Sequence, residues 1–276
     1  MVAADGLPVR PVMVDEFQIA VAETYDVIVM PDRDSAFTII GEAIDRSGLA
    51  RATLAPRPGM AEPMPLVRKR PVATMVDMGM GHMGHGMDMP GMDMGMRSQA
   101  NAPQIPLNPG IQTISPMPAD RTGEPPQGLA DVGHKVLVYR DLMAIEPHPM
   151  PPPAREMEIH LTGNMERYMW AVDGVKLSQI SAPIPFRQGE RVRIVLINDT
   201  MMNHPIHLHG HFFDLMTGHG PLAPRKHTVN VAPGGKVTFD LTADAPGDWA
   251  FHCHMLYHMH AGMMQIVSVR PGEGQA

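Results

Sequence analysis

The sequence predicts an all-β protein, with one complete β-sandwich and part of a second domain. The chain holds 29 prolines and 26 glycines in 276 residues, which favours turns and loops over long helices. Residues 134–270 also contain eight or nine short strand candidates, separated by turn residues such as DG, PGG and APGD. That number and spacing of short strands is typical of a Greek-key sandwich or barrel.

Residues 1–58 are predicted to be strands from an incomplete domain. The stretches "EFQIAVAETYDVIVMP" and "SAFTIIGEAI" are rich in Val, Ile, Thr and aromatic residues, and Pro, Asp and Gly bound them. Two such stretches are too few for a sandwich of about seven strands. We therefore interpret this region as the C-terminal part of a second domain.

Residues 59–133 are predicted to be a linker of low complexity. Nine of the 22 residues in "MVDMGMGHMGHGMDMPGMDMGM", residues 75–96, are methionine. This tract has too few branched or aromatic side chains to bury a core, and a proline-rich stretch follows it. Residues 271–276 are predicted to be a short tail.

The bulk composition excludes two classes of partner. A net charge of −7 is the wrong sign for binding nucleic acid. No run of about 18 apolar residues occurs, so no membrane span is expected. The first residues, "MVAADGLPVRPVMVDEF", lack the basic start and apolar run of a secretory signal peptide.

Histidines are concentrated in two clusters of the predicted sandwich, "HPIHLHGH" at 204–211 and "HCHMLYH" at 252–258. Residues two apart on a strand share a face, and the residue between them points away. His207 and His209 can therefore face one metal group, and His252 and His254 can face it from a neighbouring strand. Cys253 must then point to the opposite side.

Cys253 is the only cysteine of the chain, so it cannot form an intramolecular disulfide. His204 and His258 can supply two imidazoles beside its thiolate, and Met263 can supply a weak axial thioether. Two His, one Cys and a distant Met are the ligands of a blue-copper electron-transfer site. Imidazole and thiolate also suit zinc, but zinc cannot accept an electron from a substrate.

At these residues the sequence resembles the multicopper oxidases. The resemblance implies a cupredoxin sandwich, with His204, Cys253, His258 and Met263 at a type 1 copper. It also implies His207 at a type 2 copper, and the type 3 pair would take three further histidines: His209, His252 and His254. The activity implied is oxidation of Cu(I) or a phenol-like donor, with electrons passed to a trinuclear cluster that reduces O₂.

The closer resemblance is to the periplasmic copper-resistance protein A type of that family, carried by "LTGNMERYMWAVDGVK", "GERVRIVLINDTMMNHPIHLHGH" and "RKHTVNV". The trinuclear cluster of such oxidases takes eight histidines, four of them from two HxH pairs in an N-terminal domain. None of the first 81 residues is histidine, and His82 and His85 have the wrong spacing. We therefore expect this chain to correspond to the C-terminal portion, with a partner chain able to supply the rest.

Several methionines form candidate sites for Cu(I), because soft thioethers select it over hard cations. One set precedes His204 and consists of Asp199, Met201 and Met202. The other set lies in the Met-rich tract: Met78, Met80, His82, Met83, His85, Met87, Met89, Met92 and Met94. Two alternatives to an oxidase stay open, namely a module that sequesters copper without turnover and a truncated fragment.

Overall fold

The computed structural model describes residues 1–80 and 95–272. It contains 17 strands within those ranges: β1 (Ala3–Ala4), β2 (Leu7–Pro8), β3 (Tyr25–Asp26), β4 (Phe37–Glu42), β5 (Leu49–Leu54), β6 (Ala119–Asp120), β7 (Arg155–Asn164), β8 (Met169–Val172), β9 (Ile184–Arg187), β10 (Arg191–Asn198), β11 (His204–Leu208), β12 (Phe213–Leu215), β13 (Arg225–Lys226), β14 (Thr228–Val231), β15 (Gly235–Thr242), β16 (Gly247–Cys253) and β17 (Met264–Arg270). The one α-helix described is α1 (Leu256–Ala261), and short 3-10 helices occur at Val76–Met78, Gln99–Asn101, Tyr139–Asp141, Leu177–Gln179 and Gly220–Leu222.

Two sheets form the sandwich, which confirms the predicted all-β class. One sheet has the strand order β13-β12-β15-β10-β7-β8, with β6 added beside β15. The other has the order β14-β11-β16-β17-β9. Branched and aromatic side chains from both sheets meet in one buried core, where the rings of Phe213 and Phe239 stack at 4.1 Å.

The N-terminal residues are less regular than predicted. The hairpin of β4 and β5 matches the strand expected around residues 35–44, but within residues 16–31 the described pairing is limited to β3 and an isolated bridge at Glu16. Val27, Ile28 and Val29 are exposed. Strand propensity depends on packing against neighbouring strands, and no described strand lies beside these residues.

Residues 1–26 are nevertheless fastened to the sandwich domain. Met1, Ala4 and Val9 share a small apolar cluster with Leu137 and Leu142. Within the predicted linker, a second small cluster is buried, comprising Ala102, Ile105, Ile111 and Ile114. The composition of the linker did not indicate that part of it would pack in this way.

Within residues 1–80 and 95–272, no helix has both the length and the apolar character that a membrane span needs.

Candidate metal centre

Two antiparallel strands place the histidine clusters side by side. Strand β11 begins at His204, strand β16 ends at Cys253, and His207 lies opposite His252 in their register. Because successive side chains on a strand point to opposite faces, Cys253 and His252 point apart. The alternation therefore separates two groups of metal donors by one backbone residue.

A short helix brings the third donor back toward Cys253. Helix α1 starts at Leu256 and carries His258. The strand pattern did not predict this helix. It stops at Gly262, whose φ of 128° is unfavourable for other residues. A Cβ there would lie 2.8 Å from the Trp170 carbonyl oxygen, so the close approach also requires glycine.

His204, Cys253 and His258 converge on one point inside the core. Cys253 Sγ lies 3.6 Å from His204 Nδ1 and 3.9 Å from His258 Nδ1. The two Nδ1 atoms are 3.2 Å apart. Among the described residues this is the one group of three or more His, Cys, Asp or Glu whose ligand atoms all lie within 4.8 Å of one another. Met263 is buried in the same core cluster.

The protonation of these groups suits a soft metal ion. Burial lowers the pKa of His204 well below its usual range and that of His258 to about 4, so both imidazoles are neutral at pH 7. Burial raises the pKa of the Cys253 thiol to about 12. A coordinating metal deprotonates such a thiol outright, so metal uptake here would release one proton. Two imidazoles and a thiolate, with a buried methionine nearby, fit copper.

Hydrogen bonds fix the orientation of the Asn198 side chain, which lies behind His204. Asn198 donates from Nδ2 to the carbonyl oxygens of Met202 at 2.7 Å and Val231 at 2.9 Å. Its Oδ1 must therefore face Thr200, whose backbone N–H and hydroxyl both donate to it at 2.9 Å. The hydroxyl proton of Thr200 is thus committed to Asn198.

Thr200 then selects the tautomer of His204. Its Oγ1 lies 2.7 Å from His204 Nε2 and accepts the Nε2–H, which leaves the lone pair of Nδ1 facing Cys253. The sequence pattern did not indicate this role, although the hydroxyl lies only four residues before the histidine.

Replacing Thr200 by valine is expected to remove this tautomer preference and to destabilise the chain by about 1–3 kcal/mol, because the buried Nε2–H loses its acceptor. Heteronuclear NMR of the metal-free chain should lose the protected Nε2–H signal of His204. Thr200→Ser keeps the hydroxyl and should keep the signal. An unchanged signal in the valine variant would contradict the assignment.

Four imidazoles gather on the opposite face of the same two strands. His209 Nε2 lies 3.0 Å from His252 Nε2, and the ring of His207 lies 4.8 Å from that of His209 and 5.8 Å from that of His254. His252 donates from Nδ1 to the Cys253 carbonyl oxygen at 3.0 Å, which leaves its Nε2 for a ligand. The sequence predicted that His207, His209, His252 and His254 lie on one face and Cys253 on the other, and the geometry matches this prediction. The metal assigned to each histidine stays a prediction.

The N-terminal region helps to orient His207 through the backbone at His227. Its Nδ1–H donates to the His227 carbonyl oxygen at 2.7 Å, and burial lowers its pKa to about 4. Asp5 Oδ2 accepts the backbone N–H groups of His227 at 3.0 Å and Thr228 at 3.2 Å. Asp5 thereby fixes the backbone that orients His207, which no sequence spacing could have indicated across more than 200 residues.

Asp199, a candidate Cu(I) ligand, is already engaged in the structure. Its side chain is buried, with Oδ2 2.7 Å from His160 Nδ1 and Oδ1 accepting the Ser115 N–H at 2.8 Å. His160 Nε2 also lies 3.0 Å from Glu158. Burial alone would lower the pKa of His160, but Asp199 and Glu158 outweigh it and raise that pKa to about 9. An imidazolium therefore neutralises the Asp199 carboxylate, which argues against a free acidic ligand.

This ion pair predicts a pH dependence of stability. A pKa raised from 6.5 to about 9 stabilises the fold fully below pH 6.5, and the stabilisation is lost as pH rises through about 9. The loss amounts to about 3 kcal/mol. Urea unfolding at about pH 6 and about pH 9.5 should show a decrease that is larger by about this amount in the wild type than in His160→Gln. Parallel losses in both proteins would contradict it.

Methionines that precede His204 and methionines of the Met-rich tract line one small cavity. Met78, Met96 and Met201 line a narrow space that also reaches Thr200. Met201 is 36% exposed, whereas Met202 packs against the core. Met80 is half-buried. The remaining candidates of the tract lie outside the described residues: His82, Met83, His85, Met87, Met89, Met92 and Met94.

Known proteins are similar in sequence to the N-terminal region and to the sandwich domain of this chain. Family models for multicopper oxidases match residues 150–273 and 1–55. The copper resistance protein A homolog of Pseudomonas syringae pv. tomato is 45% identical over 98% of this chain and 50% of its own length. Copper resistance protein A of Escherichia coli is 44% identical over 98% of this chain and 51% of its own length. A crystal structure of the multicopper oxidase McoA from Aquifex aeolicus covers 45% of this chain and 31% of its own, at 28% identity and a TM-score of 0.39.

The chain thus spans about half the length of the relatives it matches. Copper is the cofactor that its buried His, Cys and His donors fit. By the two family models and the sequence relatives, the chain belongs to the multicopper oxidase family.

Proposed function

We propose that this chain carries the electron-accepting half of a copper oxidase that acts on Cu(I) in copper resistance. The observation that carries the proposal is the convergence of His204, Cys253 and His258 on one buried point. These residues would hold a type 1 copper, with Met263 as the axial ligand. Bound copper would supply a one-electron couple that accepts an electron from the substrate.

The residues themselves would position and connect the two copper groups. Cys253 lies between His252 and His254 in the chain, so a short covalent path joins the thiolate to the imidazole face. His207 would serve a type 2 copper, and the type 3 pair would take His209, His252 and His254. O₂ reduction would need four further histidines, from the rest of a longer polypeptide or from a partner chain. The family resemblance favours the periplasm as the location.

The cavity of Met78, Met96 and Met201 supports Cu(I) as the substrate. Three residues that bear soft thioethers line one space beside Thr200, which holds the His204 imidazole. Phenol-like compounds are a second class of donor.

The test is to load the purified chain with copper and follow its visible spectrum. We expect a blue thiolate-to-copper absorption that bleaches when Cu(I) or a phenol is added without oxygen. Colourless protein that has bound one equivalent of Cu(II) would overturn the proposal. Rapid oxygen uptake by the chain alone would contradict the proposal that it supplies only half of the histidines of the trinuclear cluster.

A second candidate function is copper sequestration, favoured by the nine methionines in residues 75–96. Asp77 in this tract is buried and pairs with Arg121 at 2.6 Å, so deletion of the whole tract would disturb the fold. Substituting leucine for Met83, Met87, Met89, Met92 and Met94 keeps chain length and volume but removes five of the nine thioethers. A Cu(I) titration with unchanged stoichiometry in this variant would exclude sequestration by these five methionines.

A further inference from the structure

The imidazole of His258 is shielded from solvent by an indole. The rings of Trp170 and His258 stack with centroids 3.9 Å apart and planes at 25°, and Trp170 also meets His204 edge-on at 5.3 Å. Trp170, His204 and His258 are all buried. An organic donor in solution therefore cannot touch either imidazole directly.

One half-exposed ring continues this contact to the surface. Tyr168 is 50% exposed and lies edge-on to Trp170 at 5.8 Å and to His258 at 6.2 Å. Conjugated rings in contact couple electrons better than saturated side chains or solvent gaps. Tyr168 and Trp170 thus connect solvent to both imidazoles through consecutive ring contacts.

The backbone holds Tyr168 in an unfavourable conformation. Its φ is +51°, in the left-handed region, within the turn between β7 and β8 where Gly or Asn is favoured. Strain of this kind clusters at functional sites.

Burial of Trp170 also costs free energy. Its buried Nε1–H has no hydrogen-bond partner among the described residues. Its ring lies so close to the neighbouring strand that a Cβ at Gly163 would be 2.6 Å away. Hydrogen bonding does not explain why an indole occupies this position.

We propose that Tyr168 is the contact site for phenol-class donors and that Tyr168 and Trp170 conduct the electron to the type 1 ligands. This inference rests on the proposed copper site. The phenol loses one electron and, to water, its hydroxyl proton, and it leaves as a phenoxyl radical. Bound Cu(II) gains the electron and becomes Cu(I), while neither protein ring is oxidised.

The first test uses the copper-loaded chain and hydroquinone without oxygen, with bleaching of the blue absorption followed by stopped flow. Tyr168→Gly should lose most of the wild-type rate, whereas Tyr168→Phe, which keeps the ring, should retain it. Tyr257→Ala is the matched control, because Tyr257 is 76% exposed and precedes His258 without a ring contact to it. Its rate should equal the wild-type rate. An undiminished rate in Tyr168→Gly, or an equal loss in Tyr257→Ala, would overturn the inference.

The second test needs no copper and separates this inference from the proposed function. Saturation-transfer NMR should show contact between hydroquinone and the metal-free wild type, and Tyr168→Gly should abolish it. The melting temperature of that variant should stay within about 3 °C of the wild type, because relief of the left-handed strain offsets the lost ring contact. A chain that binds hydroquinone at Tyr168 but never turns blue with copper would refute only the copper site. A blue chain with unchanged hydroquinone contact in Tyr168→Gly would refute only the donor site.

Discussion

Cys253→Ser is expected to abolish the blue absorption of the copper-loaded chain completely. The absorption requires charge transfer from a thiolate, and Cys253 is the only thiol in the sequence. A serine oxygen is a hard ligand and does not replace a soft thiolate for copper. The variant should also lose the fast electron path to His252 and His254, because its side chain no longer bonds to copper. Absorption and electron paramagnetic resonance spectra of the loaded variant measure the first effect.

The control must show that the fold survives the change. A buried serine hydroxyl without a partner costs about 1–3 kcal/mol, so Cys253→Ala is the cleaner companion variant. His258→Gln should also lose the blue spectrum, whereas His260→Gln should keep it because His260 is exposed. A blue Cys253→Ser protein would show that the thiolate is not the ligand.

The metal donors were predictable from the sequence because strand periodicity is a local property. Alternation along β11 and β16 separates Cys253 from His252 without knowledge of the rest of the fold. The spacing between Cys253 and His258 gave no such guide, since five residues of strand would have carried His258 away from the thiol. A helix of six residues, capped by Gly262, returns it instead.

The supporting residues were not predictable because they lie far apart in sequence. Asp5 reaches the backbone of His227, and Ser115 reaches Asp199. Such hydrogen bonds depend on how segments pack, which composition does not encode. The exposed residues Val27 and Ile28 illustrate the converse, since strand-forming side chains remain unpaired where the described structure offers no neighbouring strand.

A buried cation joins the N-terminal region to the sandwich. Lys226 Nζ is fully buried, 3.1 Å from Asp5 Oδ2 and 3.3 Å from Glu23 Oε1. It also faces the rings of Tyr25 at 5.0 Å and Tyr139 at 5.7 Å. Both carboxylates lie within ion-pair distance, although neither contact has the direction of a good hydrogen bond. Lys226 directly precedes His227, whose carbonyl oxygen orients His207.

Lys226→Met is expected to lower the free energy of unfolding by about 3–5 kcal/mol, because it leaves two buried carboxylates without their cation. Urea unfolding at neutral pH measures the loss. The variant should also loosen residues 1–26, so their amide hydrogens should exchange faster than those of β10 and β15. Loosening of Asp5 should in turn release the backbone of His227 and disorder the ring of His207.

The triple variant Lys226→Met, Asp5→Asn, Glu23→Gln separates charge from shape. It removes both unpaired carboxylates while the amide oxygens can still accept the backbone N–H groups that Asp5 holds, so it should recover much of the stability lost in the single variant. Coupling among the three changes is then the quantity to measure, since neighbouring substitutions are not additive. A loss below about 1 kcal/mol in Lys226→Met would place this cluster among ordinary exposed ion pairs. In that case the N-terminal region would be held mainly by its apolar contacts with Leu137 and Leu142 and by its hydrogen bonds to the sandwich, such as those of Asp5.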